Sequence, residues 1–235
     1  MINLLLALAA GAVVFAAIIP FFPWYAALIP GLIVGLAAYV ILSNRAMKQL
    51  TALSERAQKE MMAQKVDKAI ETFRSGFPLA KRQFLVGSIL HGNLGTLLYL
   101  KQDFEGAKPH LEKGFGRNYI AKAMLGAYYF RVKDYAKSQE AFELAVKHGK
   151  KDGLVWSTYA YCLWRQGDRE GAMRVLSRAV EKNATDEKLK TNLRALQNNK
   201  PMKMRLYAPQ FYQFHLERPP PELAGGGRRV IWERR

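Results

Sequence analysis

Side chains able to do acid–base, nucleophilic or metal chemistry are few and scattered in this chain. Its four histidines, His91, His110, His148 and His215, show no metal-ligand spacing and no HExxH helix motif. The one cysteine, Cys162, sits between Tyr161 and Leu163 in a helical pattern. It excludes an intrachain disulfide and a cysteine-based zinc site, and reads as a small buried hydrophobe. There is no P-loop, no G-x-S-x-G elbow and no dinucleotide fingerprint at a strand, because no segment reads convincingly as a strand. Gly225–Gly227 lies in a proline- and glycine-rich tail and is no phosphate cradle. No nucleophile, base and oxyanion donor come together, so the expectation is a non-enzyme with no cofactor and no metal.

What does recur is a spacing. Leu94-Gly95-x-x-Leu98, Leu125-Gly126-x-x-Tyr129 and Tyr159-Ala160-x-x-Leu163 are 31 and then 34 residues apart. Each is followed by a short turn with an aspartate: Asp103, Asp134 and Asp168. Then come a small residue and a large one four places later: Ala107 and Leu111, Ser138 and Phe142, Ala172 and Leu176. Gly114, Ala145 and Ala179 close the units at the same intervals. A period of this size marks stacked helix pairs. Small residues fall where helices cross closely, and large ones fill the seam one turn away. Each aspartate is placed to cap the second helix of its unit. Residues 187–198 (EKLKTNLRALQN) are amphipathic and predict a helix closing the open end of the stack.

This pattern, over about residues 88–186, resembles the tetratricopeptide repeat (TPR), a helix–turn–helix unit of about 34 residues with a W-x-x-L-G-x-x-Y…A-x-x-x-F signature. Trp156 keeps the leading tryptophan of the third unit, and Leu125, Gly126, Tyr129 and Phe142 keep the signature in the second. Leu94, Gly95 and Ala107 keep it in the first. His91 and Lys122 replace the leading tryptophan, and the closing proline is missing throughout. Pro109 falls inside the second helix of the first unit, where it removes a hydrogen bond and should kink or shorten that helix.

The resemblance implies an inner face that binds peptide. Carried over residue by residue, it places Tyr99, Phe130 and Trp164 at equivalent positions on that face. Arg131 and Arg165 follow directly in the second and third units, with Leu100 in that place in the first. Asn93, Thr96 and Ala127 lie around them, with Ser157 and Tyr161. Aromatic platforms beside guanidinium groups suit an extended protein segment with an acidic group or free carboxylate. The competing expectation is that the rings are core and the arginines solvated.

Residues 1–44 contain no Asp, Glu, Lys or Arg. Two apolar runs, residues 2–19 and 24–42, flank Pro20-Phe21-Phe22-Pro23 and predict a transmembrane helical hairpin, each arm roughly 27 Å long. A shallow re-entrant hairpin is the other geometry that fits. Trp24 and Tyr25 fall where an interfacial aromatic belt belongs. The following Arg45, Lys48, Arg56, Lys59, Lys65 and Lys68 put this side in the cytoplasm, with both termini and the repeats. A cleavable leader ending near residues 7–12 is disfavoured by the lack of a basic residue before the run. Ala7-x-x-x-Gly11 and Gly31-x-x-x-Gly35 are small-residue pairs suited to close helix contact, including homo-oligomer contact through the hairpin. From Asn44 to about Phe73 a charged helix is expected to continue the second arm, with Ala69 and Phe73 as a half-repeat.

After Pro201 the helical pattern stops. The tail, with three consecutive prolines and terminal Arg228, Arg229, Arg234 and Arg235, is expected to be extended or disordered. Its stretch Tyr207–Phe214 is too apolar for a plain linker and is suited to pack on the repeats or on a partner. The formal net charge of +17 is spread over linker, repeats and tail, so membrane proximity accounts for its sign better than nucleic acid does.

The chain is therefore expected to be all-α: an N-terminal transmembrane helical hairpin (1–43), a connecting helix and half-repeat (44–87), a short TPR-like α-solenoid of three repeats plus a capping helix (88–199), and a basic tail (200–235). The expected function is a scaffold anchored in a membrane, the bacterial inner membrane by this reading, that organises an envelope assembly through a protein partner. The competing reading is a basic membrane-surface or nucleic-acid-binding protein without a specific peptide ligand.

Overall fold

The computed structural model describes residues 1–224, whose regular elements are all helices, with no strand among them. Arg228, Arg229, Arg234, Arg235 and the triple glycine lie outside the described residues. The chain divides into two compact units: residues 1–101 with 113–115, and residues 102–112 with 116 onward.

In the first unit, α1 (Ile2–Ile18) and α2 (Trp24–Met62) form an antiparallel hairpin. Its seam is made by the absence of side chains. A Cβ on Gly11 would come within 2.7 Å of the Gly31 carbonyl oxygen, and one on Gly35 within 3.2 Å of that of Ala7. The small-residue pairs thus let the two backbones touch within one chain, so a homo-oligomer through the hairpin would have to use other faces. The outer faces are apolar and uncovered, with Leu5, Leu8, Val13, Leu32, Ile33 and Leu36 all exposed. By length and composition α2 can cross a membrane, whereas α1, at 17 residues, is shorter.

The helix expected to run from Asn44 to Phe73 is interrupted. Helix α2 ends at Met62, Gln64 takes a left-handed φ of 59°, and the chain turns back into α3 (Val66–Ser75). No glycine or proline marks this turn. Gln102, Lys133 and Gly167 are also left-handed, and each directly precedes one of the capping aspartates. Counting five and nine residues onward from these four turns gives Ala69 and Phe73, Ala107 and Leu111, Ser138 and Phe142, Ala172 and Leu176, all buried. Ala57 corresponds in the same way to Gly95, Gly126 and Ala160, and is also buried. The expected half-repeat is therefore a whole helix pair, whose first helix is the continuation of α2. Thr72 Oγ1 donates to Glu60 at 2.7 Å across the pair. A short turn, α4 (Phe77–Ala80), and then α5 (Val86–Leu100) follow, both packed on α3.

The second unit begins with α6 (Phe104–Lys113), followed by α7 (Tyr119–Arg131), α8 (Tyr135–His148), α9 (Gly153–Arg165), α10 (Arg169–Lys182) and α11 (Glu187–Gln197). Helix α6 has ten residues against fourteen in α8 and α10, the shortening that Pro109 dictates. The carboxylates of Asp103, Asp134 and Asp168 each accept from the backbone N–H three residues on, so all three are N-caps, worth about 1 kcal/mol apiece. Asn118, Asp152 and Asp186 cap α7, α9 and α11 in the same manner. Gly126 is required by Phe142: a Cβ there would lie 2.7 Å from the ring. The two positions differing in leading residue do one job. Lys122 Nζ donates to the Leu111 and Glu112 carbonyls at 3.1 and 3.2 Å, and Trp156 Nε1 donates to that of Lys150 at 3.1 Å. Both tie the first helix of a pair to the chain just before it.

Gly11→Leu should force the hairpin apart and destabilise the full chain by about 1–3 kcal/mol, as overpacking does. Gly116→Ala should not, since a Cβ there meets nothing within 4 Å. Thermal unfolding of both variants in detergent, followed by circular dichroism, checks the contrast.

Candidate functional site

The residues expected on the inner face divide between the two units. In the first, Asn93 and Thr96 are half-buried on α5, and Thr96 Oγ1 donates to the Gly92 carbonyl within its own helix at 2.9 Å. Tyr99, expected as the first platform of the aromatic stripe, is fully buried and offers no ring face to solvent. In the second unit, Phe130 at the end of α7 is half-buried against Tyr135, their ring centroids 5.9 Å apart. Trp164 is half-buried near the end of α9, its ring 5.9 Å from that of Tyr161. The Arg165 guanidinium lies 5.8 Å from the Tyr161 ring.

Ser157, Tyr161 and Arg131 are engaged by the chain's own C-terminal segment. After α11 the chain makes two short 3-10 turns, Met204–Tyr207 and Gln210–Phe214, and packs back on α9. Met204, Tyr207, Phe211 and Phe214 are buried. The apolar stretch thus packs on the repeats, one of the two placements its composition suits. Lys203 N–H donates to Asn192 Oδ1 on α11 at 2.7 Å, fixing the turn into the segment. Ser157 Oγ donates to Tyr207 Oη at 2.9 Å. Phe211 sets its ring edge-on to Tyr161, centroids 5.2 Å apart. Tyr161 Oη donates to the Glu217 carboxylate at 2.6 Å, and Arg131 Nη1 donates to the His215 carbonyl at 2.7 Å. The Arg131 guanidinium also stacks over Phe104 at 4.0 Å, and the His215 ring meets the same Phe104 edge-on at 5.7 Å. Gly153, at the start of α9, leaves room for the Asp186 carboxylate, which a Cβ there would strike, with the Tyr207 hydroxyl in ordinary contact beside it at 3.4 Å.

The arrangement holds a segment by aromatic edges, one carboxylate and one backbone carbonyl. The acid meets a tyrosine hydroxyl, whereas the guanidinium takes a main-chain oxygen, a division that residue type alone does not indicate. Phe104, Asn192, Tyr207, Phe211, His215 and Glu217 complete the contact and fall outside the aromatic stripe. The one signal for them is the excess of aromatic residues between Tyr207 and Phe214.

Burial holds the Cys162 thiol well above its ordinary range, so no thiolate is available as a nucleophile. No group of three or more His, Cys, Asp or Glu side chains that could hold a metal ion occurs among the described residues.

No protein-family model matches the chain, and no curated protein matches it. Among solved structures it is similar to one titled "Crystal structure of MamA", with 17% identity, a TM-score of 0.49, and coverage of 66% of this chain and 90% of that one.

Burial, and secondly the Glu217 carboxylate, raises the Tyr161 phenol above its ordinary 10.0. Burial raises Tyr207 likewise, against the Ser157 hydroxyl, which lowers it. A phenol raised in the folded state contributes fully below pH 10 and loses that contribution as pH climbs through the folded value. Docking of the segment should therefore weaken above pH 10. A nitroxide at the exposed Gln213→Cys position should give a sharper spectrum there while helical circular dichroism persists. A label that stays immobile until the helices themselves melt would contradict this.

Proposed function

We propose that the chain is a membrane-anchored helical-repeat scaffold that binds a segment of a protein partner across α7 and α9, in competition with its own C-terminal segment. One observation carries this reading. The second-unit residues expected to hold a peptide, Arg131, Ser157 and Tyr161, hold an aromatic, carboxylate-bearing stretch of polypeptide, which is the chain's own residues 204–217. A surface that accepts such a stretch in cis can accept one in trans. The chemistry of the tail then describes the partner: two or three aromatic side chains on short turns, followed by an acid.

The anchoring half rests on the hairpin. Its outer faces are uncovered leucine, isoleucine and valine, a surface too large and apolar to stand in water without a covering phase. Its charge-free length ends at Arg45, after which basic residues outnumber acidic ones. The positive-inside rule puts the repeats in the cytoplasm, in a bacterium at the inner membrane. A scaffold held there would organise an assembly of the envelope by collecting partners at the membrane face.

The test uses the full chain in lipid nanodiscs and a fluorescent peptide of residues 203–218. In the native chain the attached tail competes at an effective concentration on the order of millimolar, so the free peptide should bind poorly. Phe211→Ala, which loosens the attached tail, should raise peptide binding at least tenfold in fluorescence anisotropy. Adding Arg131→Ala and Tyr161→Phe to the same chain should abolish the gain. Where Phe211→Ala lowers helical content, Tyr207→Phe serves as the milder variant. Equal binding to native and loosened chains would sink the proposal.

A further inference from the structure

We infer that residues 81–85 form a second membrane-contact site, which lies against the cytoplasmic headgroups and takes anionic phospholipid. This rests on the membrane reading of the hairpin but on different residues.

The segment is tied to the open end of the hairpin. Ile2 N–H donates to the Lys81 carbonyl at 3.1 Å, and Asn3 N–H donates to that of Arg82 at 3.0 Å. The loop therefore satisfies two of the amides that the first turn of α1 leaves without helical partners. The Asn3 side-chain amide donates to the Leu42 carbonyl at 3.1 Å and to Gln83 Oε1 at 3.4 Å, and Gln83 Nε2 donates to Tyr39 Oη at 3.1 Å. Leu42 stands three residues, about 4.5 Å of helix, before Arg45, the first charged residue of the chain. These bonds fix the loop at the depth where the apolar length of the hairpin ends, which is the headgroup level of a bilayer that the hairpin spans.

What the loop presents there has the composition of an interfacial contact. Phe84 is 63% exposed and Leu85 is 39% exposed, one residue beyond the exposed Lys81 and Arg82. Leu85 holds a left-handed φ of 70°, a conformation that ordinarily selects glycine or asparagine. Two large apolar side chains uncovered beside two cations match the two layers of an anionic bilayer surface. The rings and methyls enter the acyl boundary, and the ammonium and guanidinium meet phosphate, each cation contributing about 1 kcal/mol near a charged leaflet. A protein partner is the other class of occupant; charge complementarity and the bonded continuity with the hairpin select the lipid.

The experiment uses the full chain in vesicles, with an environment-sensitive nitrobenzoxadiazole label placed at Phe84→Cys, Leu32→Cys or Lys151→Cys. Cys162 is fully buried and does not compete for label. In vesicles of phosphatidylcholine with one quarter phosphatidylglycerol, the label at 84 should emit blue of that at 151. It should also be quenched at least threefold more by headgroup-level nitroxide lipids. Lys81→Gln with Arg82→Gln, or vesicles of phosphatidylcholine alone, should cut that quenching by half or more and leave the label at 32 unchanged. A label at 84 as aqueous as that at 151, with the label at 32 in the acyl core, overturns the second site and leaves the anchor standing. A label at 32 that reads aqueous overturns the anchor and this site with it. If helical content shows Phe84→Cys to be misfolded, Leu85→Cys carries the same comparison, with the same outcomes.

Discussion

Two helices can approach until their backbones touch only where the side chains between them are small or missing, and this constraint governs both units. In the hairpin it is met by Ala7, Gly11, Gly31 and Gly35; a Cβ on any of the three glycines would crowd an opposing carbonyl oxygen. In the repeats it is met by one small residue on each first helix and another on the second, with a large partner such as Phe142 filling what the small ones vacate. The two settings differ in what drives association. Between the repeats, removing apolar surface from water supplies the free energy. Where helices are surrounded by lipid that term vanishes, leaving dispersion and close fit, the kind of contact that small residues such as those of the hairpin seam permit.

Once the crossings are set, the helix ends decide register. Six acidic or amide side chains accept from the first exposed amides of α6 to α11, and four left-handed residues turn the chain between paired helices at equivalent places. Between units of the repeat, Glu143 and Arg178 meet in a two-pronged ion pair of 2.8 and 2.9 Å, which links α8 to α10. It holds the Glu143 carboxyl below its ordinary range, chiefly through the hydrogen bond from Arg178.

Much of this is visible in the residues themselves, because helix crossings, caps and the cost of Pro109 depend on neighbours within one or two turns. The pair built from α2 and α3 was half hidden. Ala69 and Phe73 show its second helix, but Gln64 turns the chain without glycine, and Glu60 stands where the other repeats have Leu98, Tyr129 and Leu163. Lys122 in place of tryptophan looks like a defect in the pattern until its ammonium is seen meeting two carbonyls. Its burial lowers the ammonium's proton affinity, with Glu112 acting in the opposite direction. The inner-face residues are the least legible. Position in a repeat places Tyr99 on the binding stripe, and only packing reveals it as core. Likewise, no local spacing couples Arg131 to His215 or Tyr161 to Glu217, contacts that join residues 84 and 56 places apart.

The uninterrupted run of α2 from Trp24 to Met62 has a mechanical consequence. One rod of hydrogen-bonded backbone is both an arm of the hairpin and the first helix of a repeat pair, with no slack joint between those roles. A flexible linker would let the two ends reorient independently, as a tether lets a buoy swing. A rigid shaft transmits tilt and rotation instead. Any re-tilting of the hairpin arm is passed by the same angle to α3, packed on the far end of α2.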